Sequence, residues 1–258
     1  MTGTTTALVT GAGTGIGAAT ARALARRGVS VAINHLGAPD RASAEAVAAE
    51  CRALGAQVLL LPADVGDEPS CRALVAAVLA AWGRLDYLVN NAGLSAGRAL
   101  TDLDGVTEEE FMRVERVNVH APFWLSRAAA VPMRAQGRGA IVNMGSIAGI
   151  EGIGSSYPYL TTKAALISLT KALARTLGPE IRVNVVCPGL VSSGWGEREM
   201  GAERAAAVSD RYRATTALRA VPRPEDIAET IAWLLQSASH MTGEIVRIDS
   251  GLHLGPPM

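Results

Sequence analysis

The sequence is short of cysteine, of net charge and of long apolar runs, and each shortage excludes a class of protein. Three cysteines, Cys51, Cys71 and Cys187, are too few and too scattered for a disulfide framework. None forms a Cys-x-x-Cys pair, and His35, His120, His240 and His253 show no metal-ligand spacing, so no metal site is expected. The 24 basic residues balance the 24 acidic ones, which removes any global attraction to nucleic acid or to an anionic membrane. No uninterrupted apolar stretch reaches membrane-spanning length, and Met1-Thr2-Gly3-Thr4-Thr5-Thr6 lacks the basic and apolar regions of a secretory leader. The expectation is a cytoplasmic protein whose binding is local, with neither nucleic acid nor membrane as partner.

What is present is a core-forming α/β pattern. Of the 258 residues, 49% are hydrophobic, enough for one large domain. Apolar runs of strand length alternate with Ala- and Leu-rich segments of helical period: a strand over Thr5 to Val9, a helix over Gly15 to Arg27, then a strand over Val29 to Asn34. The rhythm repeats with a strand at Val58 to Leu61, a helix at Glu68 to Trp82, a strand at Leu85 to Val89 and a long helix at Glu108 to Arg134. Strands at Ala140 to Met144 and Arg182 to Val186 follow. Near-continuous apolar strands are those of a parallel sheet covered on both faces, so the pattern predicts a doubly wound sheet. No linker or internal repeat divides the chain, and residues 1–258 read as one domain. Residues 190–216, with Trp195 between glycines and a charged helical stretch after it, depart from the rhythm and read as a lid over a pocket at the carboxyl ends of the strands.

Chemistry concentrates at those ends. Thr10-Gly11-Ala12-Gly13-Thr14-Gly15-Ile16-Gly17 follows the first strand and opens the first helix, where unpaired N–H groups and the helix dipole favour a pyrophosphate. Asp64-Val65, Asn90-Asn91-Ala92-Gly93 and Pro188-Gly189 end further strands. Tyr159 and Lys163 stand one helical turn apart on one helix face, with Ser146 thirteen residues upstream of the tyrosine. A phenol is a poor base at neutral pH, with an unperturbed pKa of about 10, and a neighbouring ammonium lowers that value. A polarising hydroxyl and a proton donor that meet one substrate oxygen are what carbonyl reduction requires.

Thr10-Gly11-x-x-x-Gly15-Ile16-Gly17, Asn90-Asn91-Ala92-Gly93, Ser146, Tyr159-x-x-x-Lys163 and Pro188-Gly189, in this order, resemble the short-chain dehydrogenase/reductase family. Asp249-Ser250-Gly251 is similar to that family's Asp-Gly-Gly close. The resemblance implies a Rossmann-type domain with a central parallel sheet of about seven strands (), a nicotinamide cofactor and a homotetramer, or a homodimer. It also implies that Asn118 joins Ser146, Tyr159 and Lys163 in a catalytic tetrad, Asn118 holding a water that links the lysine to solvent. Lys163 would also hydrogen-bond the nicotinamide ribose. Cofactor contacts are expected from Thr10, Gly11, Gly15, Ile16, Gly17, Asn34, His35, Asp64, Val65, Asn91, Ala92, Gly93, Tyr159, Lys163, Pro188, Gly189, Val191 and Ser193. Substrate contacts are expected from Ser95, Ile147, Ile153, Tyr157 and Trp195.

The second strand ends in Asn34-His35-Leu36, without the carboxylate that usually selects NAD by repelling a 2′-phosphate. NADP(H) is therefore the expected cofactor, with Arg41 as a candidate phosphate ligand and NAD(H) also possible. The expected activity interconverts a ketone and a secondary alcohol on a small or medium organic substrate, as in 3-oxoacyl reductases or ketoreductases of specialised metabolism. An NAD-dependent alcohol, polyol or sugar dehydrogenase is the alternative, and a non-catalytic cofactor-binding regulator a further one. Enoyl reduction fits less well, because relatives with that chemistry separate the tyrosine and lysine more widely.

Overall fold

The computed structural model describes residues 4–97 and 99–255, so Met1 to Gly3, read above for a leader, lie outside the described residues. Seven strands form one parallel sheet: β1 Thr6–Val9, β2 Ser30–His35, β3 Val58–Pro62, β4 Tyr87–Asn90, β5 Gly139–Met144, β6 Ile181–Pro188 and β7 Ile245–Ile248. Their order is β3-β2-β1-β4-β5-β6-β7, so the winding reverses between β1 and β4. The crevice at such a reversal, outside the carboxyl ends of the strands, is where open α/β sheets bind ligands.

Helices cover both faces. On one, α1 (Gly15–Ala25), α2 (Arg41–Ala53) and α10 (Pro224–Gln236) pack against Ala7, Val9, Val31 and Ile33. On the other, α3 (Glu68–Trp82), α5 (Ala121–Ala135) and α7 (Tyr157–Leu177) pack against Leu8, Leu88, Ile141 and Val183. Successive strand residues thus feed opposite cores, and both cores being apolar explains the continuous rather than alternating hydrophobic runs. The shorter helices are α4 (Glu108–Glu115), α6 (Ala148–Glu151), α8 (Trp195–Met200) and α9 (Ala202–Thr215).

The helix expected over Glu108 to Arg134 is interrupted. Arg116–His120 forms a π-helical turn between α4 and α5, in which the N–H of Ala121 bonds the Arg116 carbonyl five residues back. One extra residue is absorbed there, and side-chain periodicity alone does not register it. β7 was not placed from its own residues, because Ile245-Val246-Arg247-Ile248 is only four residues long and interrupted by a charge.

At the amino ends of the strands Asp86 ties three of them together. Its carboxylate accepts the Thr6 N–H (2.9 Å) and both Nε and Nη2 of Arg84 (2.8 and 2.6 Å), while its backbone carbonyl accepts the Ala140 N–H (3.0 Å). Asp86 is buried, so removing the carboxylate would leave the Thr6 N–H without this acceptor and take a buried charge partner from Arg84. Asp86→Ala is expected to lower unfolding stability by about 3 kcal/mol (), read as a fall in the urea midpoint with an unchanged slope. A change within about 0.5 kcal/mol, the size of an ordinary surface substitution (), would show that the cluster contributes nothing net.

Candidate active site

A cavity of about 950 Å³ opens at the carboxyl ends of the strands, on the β1–β4 reversal. Gly11, Gly15 and Ile16 of the glycine-rich turn line it, as do Asp64, Val65, Asn91, Ala92, Gly93, Pro188, Gly189, Val191 and Ser193. Thr10 and Gly17 stand behind this wall and hold its shape. Thr10 Oγ1 accepts the N–H groups of Asn91 and Ala92, both at 3.0 Å, and Asn91 Nδ2 donates to the carbonyls of Thr10 (2.8 Å) and Gly11 (3.1 Å). A Cβ on Gly17 would sit 2.4 Å from that same Asn91 nitrogen and 2.5 Å from the Gly11 carbonyl, so only glycine lets the helix approach the turn this closely. The helix that follows, α1, has no side-chain cap at Thr14 and no acidic residue in its first turn. Its leading N–H groups and dipole are thereby left available to an anion.

Ser146, Tyr159 and Lys163 meet on the opposite part of the same wall. Ser146 follows β5, and the pairing of that strand with β6 continues past it, Gly145 N–H to the Val186 carbonyl (2.8 Å) and Ile147 N–H to the Pro188 carbonyl (3.0 Å). Its Oγ accepts the Ala148 N–H at 3.1 Å. Ser156 caps α7 by accepting the Tyr159 N–H, and Pro158 occupies the first turn, which starts the helix where Tyr159 and Lys163 share one face. Lys163 Nζ donates to the Met144 carbonyl at 2.7 Å and lies 5.5 Å from the centroid of the Tyr159 ring. Burial lowers the Lys163 pKa to about 8, against the small opposing influence of Cys187.

Asn118 sits in the π-helical turn and is buried behind the wall rather than in it. Its amide holds the backbone of Leu94 from both sides, Nδ2 to the carbonyl (2.9 Å) and the Leu94 N–H to Oδ1 (2.8 Å), and Nδ2 also reaches Thr162 Oγ1 (3.0 Å). The extra residue of the π turn is what aims it there.

Beyond the glycine turn, Asn34, Leu36 and Asp40 line the cavity, and His35 does not. The Asn34 amide is spent on backbone: Oδ1 accepts the Gly11 N–H (3.3 Å), and Nδ2 donates to Leu61 (3.1 Å) and Ala63 (3.0 Å). His35 is buried, with Nδ1 turned to the backbone of Gly37. Arg41 is 73% exposed, paired with Glu45 at 2.8 Å, and outside the cavity wall.

Of the five residues expected at the substrate end, Trp195 lines the cavity and the other four do not. Ser95 is buried, its Oγ 2.7 Å from that of Ser155; Ile147 is buried and Ile153 exposed, and Tyr157 lies outside the wall in the first turn of α7. Ser155, Leu94, Gly196 and Met200 take their places, and from α4 and the π turn come Met112, Arg113 and Arg116. Sequence reasoning missed Ser155 because it lies in the loop between α6 and α7, where no periodicity assigns a face. Residues 190–216 fold as α8 and α9 beside the opening. Tyr212 of α9 donates to the Asp249 carbonyl at 2.6 Å, and Ser192 is tied to Pro222, so both roots of the segment are fastened.

Comparison with known proteins identifies the family. A family model described as "Enoyl-(Acyl carrier protein) reductase" matches residues 11–253. The protein named as ketoacyl reductase 2 of the granaticin polyketide synthase of Streptomyces violaceoruber is 37% identical over 249 residues, 96% of each chain. The chain belongs to the short-chain dehydrogenase/reductase family. L-rhamnose 1-dehydrogenase (NAD(P)(+)) of Azotobacter vinelandii is 36% identical over 96% of each chain. A crystallised short-chain dehydrogenase/reductase from Burkholderia xenovorans superposes with a TM-score of 0.91 at 38% identity, covering 99% of this chain and 100% of that one. This short-chain dehydrogenase/reductase is an oxidoreductase acting on CH–OH and C=O groups. The nicotinamide dinucleotide of its family fits the uncapped α1 turn and the close Gly17 approach.

The depressed pKa of Lys163 carries a pH signature. An unfolded lysine titrates at about 10.4, whereas Lys163 in the fold titrates at about 8. Between those values the unfolded chain binds a proton that the fold does not, so stability attributable to Lys163 rises with pH across that window and is at its lowest, constant level below it. Subtracting the denaturation stability of Lys163→Met from that of the natural chain should give a difference that grows by about 3 kcal/mol from pH 8 to pH 10.4 (). A flat difference would mean that burial does not disfavour the ammonium.

Proposed function

We propose that this oxidoreductase reduces a ketone on a small or medium organic substrate to a secondary alcohol and catalyses the reverse, in the manner of 3-oxoacyl reductases or ketoreductases of specialised metabolism. NADP(H) is taken in preference and NAD(H) is also accepted. The observation that carries the reading is the convergence of Ser146, Tyr159 and Lys163 on one wall of the cavity whose other end is the glycine-rich turn. When bound, the reduced nicotinamide supplies hydride to the carbonyl carbon. Ser146 would polarise the carbonyl oxygen and Tyr159 would give it a proton. In the reverse direction the Lys163 ammonium favours the tyrosinate that removes the alcohol proton. The turn of Gly11, Gly15 and Ile16 would hold the pyrophosphate, with Asp64, Val65, Asn91, Ala92 and Gly93 along the adenosine half and Pro188, Gly189, Val191 and Ser193 along the nicotinamide half.

Asn118 acts in this reading as a positioning residue, holding the Leu94 backbone beside the lysine. Residues 1–258 work as one unit, with 190–216 as the lid that Trp195 and Met200 bring over the substrate. The single-turn spacing of Tyr159 and Lys163 and the ketoacyl reductase relative both support carbonyl over enoyl reduction. NADP(H) use is supported by the missing carboxylate at the end of β2. A homotetramer is supported by Phe123 and Val131 of α5, large apolar side chains left exposed.

The test follows the reduced-nicotinamide absorbance with NADPH and with NADH against ketones, diketones and 3-oxoacyl thioester mimics. Turnover favouring NADPH is expected on at least one class. In Tyr159→Phe it should fall by about a thousandfold, within the range for loss of a general acid (), while NADPH still quenches protein fluorescence. Residual turnover within a few fold of the natural chain would place the proton donor elsewhere.

A further inference from the structure

Asp40 lines the cavity beyond the glycine turn, and its backbone carbonyl lies 3.5 Å from the point where a Cβ on Gly13 would sit. It stands at the cap position of the thirteen-residue helix α2 and caps nothing: no N–H of the first turn bonds its carboxylate. That placement matters because the amino end of a helix attracts a phosphate, and here the residue at that end carries a negative charge of its own. The three neighbours expected to favour a phosphate are engaged elsewhere. Asn34 has its amide bonded to backbone, the His35 ring nitrogen Nδ1 faces Gly37, and Arg41 points to Glu45 outside the wall.

We propose that Asp40, rather than a residue at the end of β2, sets the balance between the two nicotinamide cofactors. Its carboxylate accepts the adenosine ribose hydroxyls of NAD(H) and repels the 2′-phosphate of NADP(H), so the preference for NADP(H) is held well below what the open β2 end would allow. The inference rests on the cofactor reading above and adds the residue that limits it. Sequence reasoning passed over Asp40 because it searched the strand end, and the carboxylate arrives five residues later, through a short helical turn at Ala38–Asp40 that brings the chain back toward Gly13.

Adenosine 5′-monophosphate and adenosine 2′,5′-bisphosphate differ by the 2′-phosphate alone, and their calorimetric dissociation constants test the inference without any turnover. Failure of the reductase assay would therefore leave this measurement intact. Asp40→Asn should shift the affinity ratio about tenfold toward the bisphosphate, the scale expected when a nearby like charge is removed at a partly exposed site. Asp40→Ala should shift it in the same direction, and Arg41→Ala should change it less than twofold. Melting temperatures of the variants check that each is folded. A ratio unchanged within twofold in both Asp40 variants would overturn the inference. So would a tenfold loss of bisphosphate affinity in Arg41→Ala, which would show that arginine holding the phosphate.

Discussion

Lys163 keeps 3% of its surface exposed, and a cation withdrawn from water to that depth must be compensated where it lies. The compensation is the Met144 carbonyl, the last of β5, which Nζ reaches at 2.7 Å. Much of the active-site wall follows from this contact. Past Met144 the backbone stays bonded to β6, Gly145 N–H to the Val186 carbonyl and Ile147 N–H to the Pro188 carbonyl. Gly145 allows that close approach, since a Cβ on it would sit 2.6 Å from Cys187 Sγ and 2.7 Å from Val185 Cγ2. The next residue is Ser146, on the same cavity wall as the lysine. Burial that fixes the position of the ammonium also lowers its affinity for the proton, bringing its pKa to about 8.

The site divides into groups that line the cavity and groups that hold the lining in place. Thr10, Gly17 and Asn118 belong to the second kind: none reaches the cavity, and each fixes a backbone segment that does. At the opposite ends of the strands Asp86 fastens β1, β4 and β5 by charge-assisted bonds. The sheet is thus anchored at its amino ends and in its two apolar cores. Its carboxyl ends are left to carry Asn, Ser, Thr and Gly, residues that contribute little to a core but position hydrogen-bonding groups well.

Legibility in the sequence followed the same division. Strands buried on both faces show themselves as apolar runs, and the expected bounds of β1 to β6 agree with the structure to within two residues at every end. Tyr159 and Lys163 were legible because helical spacing is local and the α7 cap lies just upstream. The π turn at Asn118 was not, because one inserted residue leaves both flanking helical patterns intact and only rotates one against the other. The substrate end was the least legible. Which of Ser95, Ile147, Ile153, Tyr157 and Ser155 faces the cavity depends on the path of residues 145–156, and Ile153 and Ser155 differ by two positions yet only Ser155 lies on the wall. No periodicity governs a loop of that kind.

A chain with no net charge can bind an anion only through local arrangement, and the cavity shows how the charges are distributed. The first turn of α1 has no carboxylate and no side-chain cap, so its N–H groups and dipole are left available to an anion. Asp40 and Asp64 stand farther along the wall, where the proposed cofactor reading puts the adenosine. Lys163, beside Tyr159, is buried and tethered, while Arg113 and Arg116 also line the cavity. An uncapped helix start, two carboxylates and one buried ammonium thus stand along a single crevice, and the reversal of winding between β1 and β4 is what gathers them there.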